Sequence, residues 1–273
     1  MLYESIFLED FRLVKRMNQL EKRIGILGCG WLGKPLAVAL LNDGYAVKGS
    51  TTTPEKVDQL EQLGIDTYLV DIANPSIPED FLNVSVLIIC ITSKSVSDFE
   101  RLVSQIENSP IQKVIFISST SVYPNLNIEI TEEDQLAEGN ALVQIEEVLQ
   151  GSKAYHSIVL RFAGLLGYNR HPSNWFQNRR IPNPDGFVNM IHRDDCIAIL
   201  KQLIQQNIGN EVFNACSNHH PTRRDFYTNA RLRKGLPAPE FVNVSEESWK
   251  IISSNKLQKA FGYSFKYDDL FAI

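Results

Sequence analysis

The chain has 273 residues, enough to bury a large core as one elaborate domain or two smaller ones. Hydrophobic residues make up 44% and charged residues 22%, an ordinary soluble balance, and the formal charge of −5 argues against backbone-driven nucleic-acid binding, which needs a basic surface. No run of about 18 apolar residues exists, so no membrane span is predicted.

The opening "MLYESIFLEDFRLVKRMNQLEK" mixes acids with apolar residues and lacks the basic-then-apolar layout of a signal peptide. Residues 1–22 read as an N-terminal extension, with Met17 just ahead of the first clear strand. The four cysteines, Cys29, Cys90, Cys196 and Cys216, are too far apart for a ligand pair and read as scattered small apolar side chains. No metal is expected. A cytoplasmic protein is the reading.

From Arg23 onward short apolar runs alternate with amphipathic segments. "RIGILG" is a strand, and "WLGKPLAVALLNDG" a helix closed by Gly44. "YAVKGS" is the next strand, and "TPEKVDQLEQLG" the next helix, with Pro54 suited to its first turn. "DTYLV", "VSVLIICI", "KVIFIS" and "HSIVLRF" are further apolar, β-branched runs. "AEGNALVQIEEVL", Ala137 to Leu149, carries an apolar stripe at Leu142, Ile145, Val148 and Leu149 and reads as helix. Unbroken apolar strands alternating with helices imply a parallel sheet covered on both faces. The fold class is therefore α/β, a Rossmann-type doubly wound parallel sheet over 23–165. After it the texture changes: prolines interrupt shorter elements and arginines become frequent. Residues 166–273 read as a smaller C-terminal substrate lobe, with part of 188–216 returning to the core.

Between the first strand and the first helix stands Gly28-x-Gly30-x-x-Gly33. Gly28 suits the tight turn, Gly30 lets the backbone approach a pyrophosphate, and Gly33 lets helix and strand pack closely. Trp31 and Leu32 lie inside this loop, and the helix N-terminus offers free N–H groups to phosphate. An NAD site would carry an acid at the end of the second strand. Here Ser50, Thr51 and Thr52 stand instead, with Lys56 beyond, which favours NADP over NAD. A Ser/Thr-rich turn with Thr53 as a helix cap is the competing reading. Asp71, after "DTYLV", joins the cofactor-binding set.

Three later stretches carry a family resemblance: "VIFISSTSVYP", "LRFAGLLG" and "VNMIHRDD", the last with Asn189, His192, Asp194 and Asp195. With the glycine loop, they make the chain from Arg23 to its end similar to the extended short-chain dehydrogenase/reductase superfamily, the NAD-dependent epimerase/dehydratase group. It resembles most the atypical members whose loop continues Trp-Leu-Gly. The resemblance implies that Ser119, four residues before Tyr123, polarises the substrate's carbonyl or hydroxyl. It also implies that Tyr123 lines the pocket and that His192 and Asp195 brace the second lobe. Thr120 and Ser121 stand where dehydratases of the group have Asp-Glu.

The group's catalytic pair is Tyr-x-x-x-Lys on the next helix. Anchoring on Glu146 puts Glu138 at the tyrosine and Leu142 at the lysine; slipping by one gives Gly139 and Val143. The pair is missing. A free phenol has a pKa of about 10, so it needs a nearby cation to act near neutrality, and losing a positioned acid/base costs about 10²–10⁴ in rate. Glu138 could substitute if burial beside a cofactor raised its pKa; otherwise it is a solvated first-turn residue.

Arg161, Arg170, Arg179 and Arg180 lie near Trp175 and Phe176, a composition suited to an anionic group beside a sugar or planar ring. A solvated basic loop is the alternative. His219 and His220 read as a turn before a helix, and Ser253 and Asn255 as the cap region of the last helix. The expected activity is that of an NAD(P)-dependent oxidoreductase or epimerase-like protein acting on a small anionic hydroxyl or carbonyl compound such as a nucleotide sugar. The competing function is a catalytically inactive NAD(P)-binding sensor. The expected partner is a small-molecule substrate, not nucleic acid or membrane, with a homodimer left open.

Overall fold

The computed structural model describes residues 23–176, 179–243 and 248–273; the expected extension, 1–22, lies outside the described residues. All six apolar runs form strands: β1 (Arg23–Leu27), β2 (Ala46–Thr51), β3 (Asp66–Leu69), β4 (Val86–Ile89), β5 (Lys113–Ser119) and, after the two-residue β6 (Glu129–Ile130), β7 (His156–Phe162). Between them run α1 (Gly33–Asn42), α2 (Val57–Glu61), α3 (Glu79–Leu82), α4 (Val96–Glu107) and α5 (Ala141–Gly151).

The later strands are mostly short. The remaining elements are β8 (Gly164–Leu166), β9 (Ile181–Pro182), β10 (Met190–His192), α6 (Arg193–Gln205), β11 (Glu211–Ala215), α7 (Arg223–Leu232), β12 (Phe241–Val242), β13 (Ile251–Ile252) and α8 (Asn255–Phe261).

The main sheet has seven strands in the order β11-β7-β5-β4-β1-β2-β3. The pairings β1–β2, β1–β4, β2–β3 and β4–β5 are parallel, with Ile24 opposite Val47 on one side and Val86 on the other. This is the doubly wound Rossmann arrangement, in which the order reverses beside the first strand. Its cause is visible in β4, where every residue of "VLII" is buried, as a strand covered on both faces must be. On α4 the buried residues Phe99, Leu102, Val103 and Ile106 fall three or four apart and make one apolar face. No helix among the described residues is long and apolar enough to cross a membrane.

Two helices differ from expectation. The segment after Pro54 begins as a 3-10 turn, Pro54–Lys56, before α2; Thr53 precedes it without a side-chain capping bond. The stretch from Ala137 does not start as helix. Gly139 takes a φ of +67°, and Asn140 caps α5, its Oδ1 accepting from the Leu142 N–H at 2.9 Å. On α5 the fully buried residues are Ile145, Glu146 and Leu149.

The chain separates into two compact units. One takes in the described chain to Ile117 with Gln144–Ile158 and Asn207–Asn210; the other comprises Ser118–Val143, Val159–Gln206 and Glu211–Ile273. The second has its own apolar cluster of Leu166, Ile181, Val188, Phe226, Tyr227 and Leu270.

Candidate functional site: a glycine loop and a serine-bearing turn

In the first unit the loop after β1 is built by its glycines. Gly28 has a φ of +100°, which side-chain-bearing residues rarely adopt, and a Cβ there would also lie 2.8 Å from Ile91 Cγ2. A Cβ on Gly33 would collide with the carbonyl oxygen of Gly28, so only glycine lets α1 start this close to β1. At Gly30 a Cβ would meet nothing within 4 Å, leaving the backbone bare toward open space. Leu32 precedes α1 with no side-chain capping bond, and its first turn holds no acid. Uncapped N–H groups at the positive end of a helix, beside an unobstructed glycine, suit a diphosphate.

The end of β2 holds this loop. Ser50 is fully buried; its Oγ accepts from the Gly28 N–H at 2.9 Å and its carbonyl from the Cys29 N–H at 2.7 Å. Expected beside a 2′-phosphate, Ser50 instead clamps the glycine turn. Thr51 is likewise buried, and its Oγ1 accepts from the Thr53 N–H at 3.1 Å. Thr52 and Lys56 remain exposed. Asp71 sits in an exposed turn, its Oδ1 accepting from the Ala73 N–H at 3.0 Å. Burial pushes the Cys29 thiol up to about 12, so it stays protonated and unreactive near neutrality.

The clamp has a measurable signature. Ser50→Ala removes one hydrogen bond of about 1 kcal/mol and leaves the Gly28 N–H unpaired, so NADH and NADPH are expected to weaken by the same factor, roughly five- to tenfold. Loss of NADPH binding alone, in parallel calorimetric titrations, would restore the 2′-phosphate role.

In the second unit the turn after β5 carries Ser119. It precedes the 3-10 turn Thr120–Val122, and its Oγ accepts from the Ser121 N–H at 3.1 Å. Accepting that bond leaves the hydroxyl proton available for a substrate oxygen. Tyr123 ends the turn pointing inward, 2% exposed. Its hydroxyl donates to Asn214 Oδ1 at 2.9 Å and accepts from Arg161 Nη1 at 2.6 Å. Burial raises the Tyr123 phenol above its usual pKa, while the Arg161 charge and hydrogen bond pull it back. Arg161 is only 3% exposed and lies 5.0 Å from the Tyr123 ring. Expected at the substrate, it is a buried brace. Glu132, whose Oε1 accepts from the Asn214 N–H at 2.7 Å, and Asn214 extend this network. Asn214 was detectable in principle as a polar residue inside the apolar run "VFNAC".

Glu138 stands in an exposed turn before α5, outside the helix. Leu142, at the lysine's place, is half-buried on the apolar side of α5.

The remaining arginines lie apart from that network. Arg170 is exposed in a tight turn closed by reciprocal backbone bonds with Gly167, at 3.1 and 3.0 Å. Arg179 lies 5.6 Å from the Phe176 ring, and Arg180 pairs with Glu240 at 2.9 Å, both exposed. The "IHRDD" segment is held by local contacts. The His192 ring stacks on Tyr267 at 3.8 Å, and its Nδ1 accepts from the Asp194 N–H at 3.2 Å. Among the described residues no group of three His, Cys, Asp or Glu side chains could hold a metal.

Residues 23–144 match the family model for the NAD binding domain of 6-phosphogluconate dehydrogenase. The chain is 29% identical over 266 residues to Protein YeeZ of Escherichia coli strain K12, covering 91% of this chain and 97% of that one. A protein of Methylobacillus flagellatus, provisionally described as an NAD-dependent epimerase/dehydratase, superposes with a TM-score of 0.76 at 25% identity, over 92% of this chain and 95% of that one. UDP-glucuronic acid 4-epimerase of Bacillus cereus, solved with UDP-glucuronic acid and NAD, gives a TM-score of 0.75 at 18% identity, over 92% and 96%. Glycine loop, strand order and these likenesses agree: the chain carries a domain matching the NAD-binding model over residues 23–144 and has the Rossmann fold of the NAD-dependent epimerase/dehydratase proteins.

Proposed function

We propose that the chain is an NADP(H)-preferring oxidoreductase or epimerase-like enzyme for a small anionic hydroxyl or carbonyl compound such as a nucleotide sugar. The observation that carries this reading is the glycine loop, with bare backbone at Gly30 beside the uncapped N-terminus of α1. Backbone amides from Gly28 to Gly33 would hold the diphosphate. Thr52 and Lys56 would meet the 2′-phosphate, since no acid stands at the end of β2 to select the plain ribose. A bound nicotinamide would supply hydride exchange. Ser119 would orient the substrate oxygen with the proton its bond to Ser121 leaves unused.

A second reading, a dinucleotide-binding sensor without turnover, is favoured by Glu138 being exposed and Leu142 apolar where the family pair would stand. Calorimetry with NADPH and NADH tests the cofactor reading, and tighter NADH binding overturns the preference. Incubating the NADPH complex with a panel of carbonyl compounds and nucleotide sugars tests turnover; tight cofactor binding with no oxidation favours the sensor. If turnover is found, Glu138→Gln is expected to leave its rate unchanged, because the carboxylate stands exposed in a turn outside α5. A hundredfold loss would return Glu138 to the chemistry.

A further inference from the structure

Lys250 is a half-buried cation of the second unit. It lies just before β13 on a segment fastened from both sides. The Asn127 N–H donates to the Trp249 carbonyl at 2.9 Å, and the Trp249 N–H to Asn127 Oδ1 at 2.7 Å. Asn189 holds the next turn of chain, its Nδ2 donating to the Lys250 carbonyl at 2.9 Å and its Oδ1 accepting from the Ile252 N–H at 2.8 Å. The backbone of Lys250 therefore has little freedom.

Its ammonium is half-buried and donates to the carbonyl of Tyr123 at 2.5 Å. Tyr123 ends the short turn that begins at Ser119, its N–H donating to the Thr120 carbonyl. An ammonium has three donors, and no carboxylate among the described residues pairs with this one. Burial holds its pKa below the usual lysine range, with no acid pulling it back. Three other cations of the same unit do pair with carboxylates: Lys256 with Glu211 at 2.7 Å, Arg224 with Asp185 at 3.4 Å and Arg180 with Glu240 at 2.9 Å. Arg223, Arg231 and Arg233 donate to carbonyls as Lys250 does, but from exposed or half-buried positions on or beside α7. A partly desolvated charge with only a neutral acceptor is unfavourable in the protein alone and is relieved by an anion.

We propose that Lys250 is an oxyanion-binding residue, taking a phosphate or carboxylate oxygen of the substrate beside the Ser119–Tyr123 turn. The inference rests on the reading of an anionic substrate given above and names the residue that selects it. A neutral brace for the Tyr123 carbonyl would need no charge; glutamine could serve.

The test is calorimetric titration of the NADPH-loaded protein with UDP-glucuronic acid and UDP-glucose. Inorganic phosphate is titrated into the protein both with and without dinucleotide. A hydrogen bond to a charged group carries enough free energy that Lys250→Met and Lys250→Gln should each weaken binding about tenfold or more, while Lys250→Arg stays close to wild type. Loss for UDP-glucuronic acid alone identifies the sugar carboxylate as the bound group; loss for all three probes identifies phosphate. Wild-type affinity in Lys250→Gln, or no binding of any probe to the wild type, overturns the inference. Failure of the wild type to take up either dinucleotide sinks the cofactor reading instead, and the phosphate arm without dinucleotide still decides Lys250.

Discussion

Gly33→Ala is expected to damage both folding and dinucleotide binding, while Gly30→Ala should abolish binding and leave the fold intact. The two glycines are three residues apart and of one chemical type, but their surroundings differ. A methyl at Gly33 meets the Gly28 carbonyl oxygen and lies 3.2 Å from Ile26 Cγ2. Replacing glycine by alanine inside a helix normally stabilises by up to about 1 kcal/mol. Overpacking a tight site costs about 1–3 kcal/mol, and here the obstacle is backbone, which cannot rotate away. The clash wins, and α1 must retreat from β1, carrying its N–H groups away from any phosphate. At Gly30 nothing lies within 4 Å and φ is not in the left-handed region, so alanine is tolerated by the protein alone. The same methyl would occupy the space a diphosphate needs. Denaturant unfolding should show a loss of about 1–3 kcal/mol for Gly33→Ala and no loss for Gly30→Ala; calorimetry should show at least a hundredfold weaker dinucleotide binding in both. Tight binding by Gly30→Ala would remove the dinucleotide from this loop.

The contrast marks where the sequence could be read and where it could not. Gly28, Gly30 and Gly33 were legible because a strand precedes and a helix follows, and that context gives each glycine one job. The strands were legible for a similar reason: "VLII" and "HSIVLRF" allow no exposed face. Side-chain roles were less so. A serine can cap a helix, meet a phosphate or hold a turn, and the partner Ser50 takes, Gly28, lies 22 residues away, where local pattern does not reach. Arg161 shows the opposite case. It is embedded in an apolar strand, and that alone points to a buried, partnered cation rather than a substrate ligand. The start of α5 was lost to local turn chemistry, since Gly139 and Asn140 outweigh the apolar periodicity around them.

Asp195→Ala is expected to cost about 3–5 kcal/mol of stability, more than any exposed substitution in the chain. The residue opens α6 in the second unit and is 1% exposed. One oxygen, Oδ1, accepts from the Tyr263 hydroxyl at 2.6 Å and the Lys266 N–H at 2.8 Å; the other accepts from the Tyr267 N–H at 3.1 Å. A single carboxylate thereby fastens the segment 263–267 to the start of α6. Burial and then the bond to Asp195 raise the Tyr263 phenol well above its usual pKa, so it remains a donor throughout the neutral range. A hydrogen bond to a charged group carries about 1.5–3 kcal/mol, and three are lost together, though Lys266 is exposed and Tyr263 and Tyr267 are half-buried, so water offsets part of the sum. Asp195→Asn is the control, because its single oxygen can still take the bonds made by Oδ1 while its amide faces the Tyr267 N–H donor to donor. The expected order of unfolding midpoints in urea is wild type, Asn, Ala. Equal midpoints for Ala and wild type would mean that the carboxylate does not fasten this segment, and the "IHRDD" stretch would have to be reconsidered as part of a substrate site.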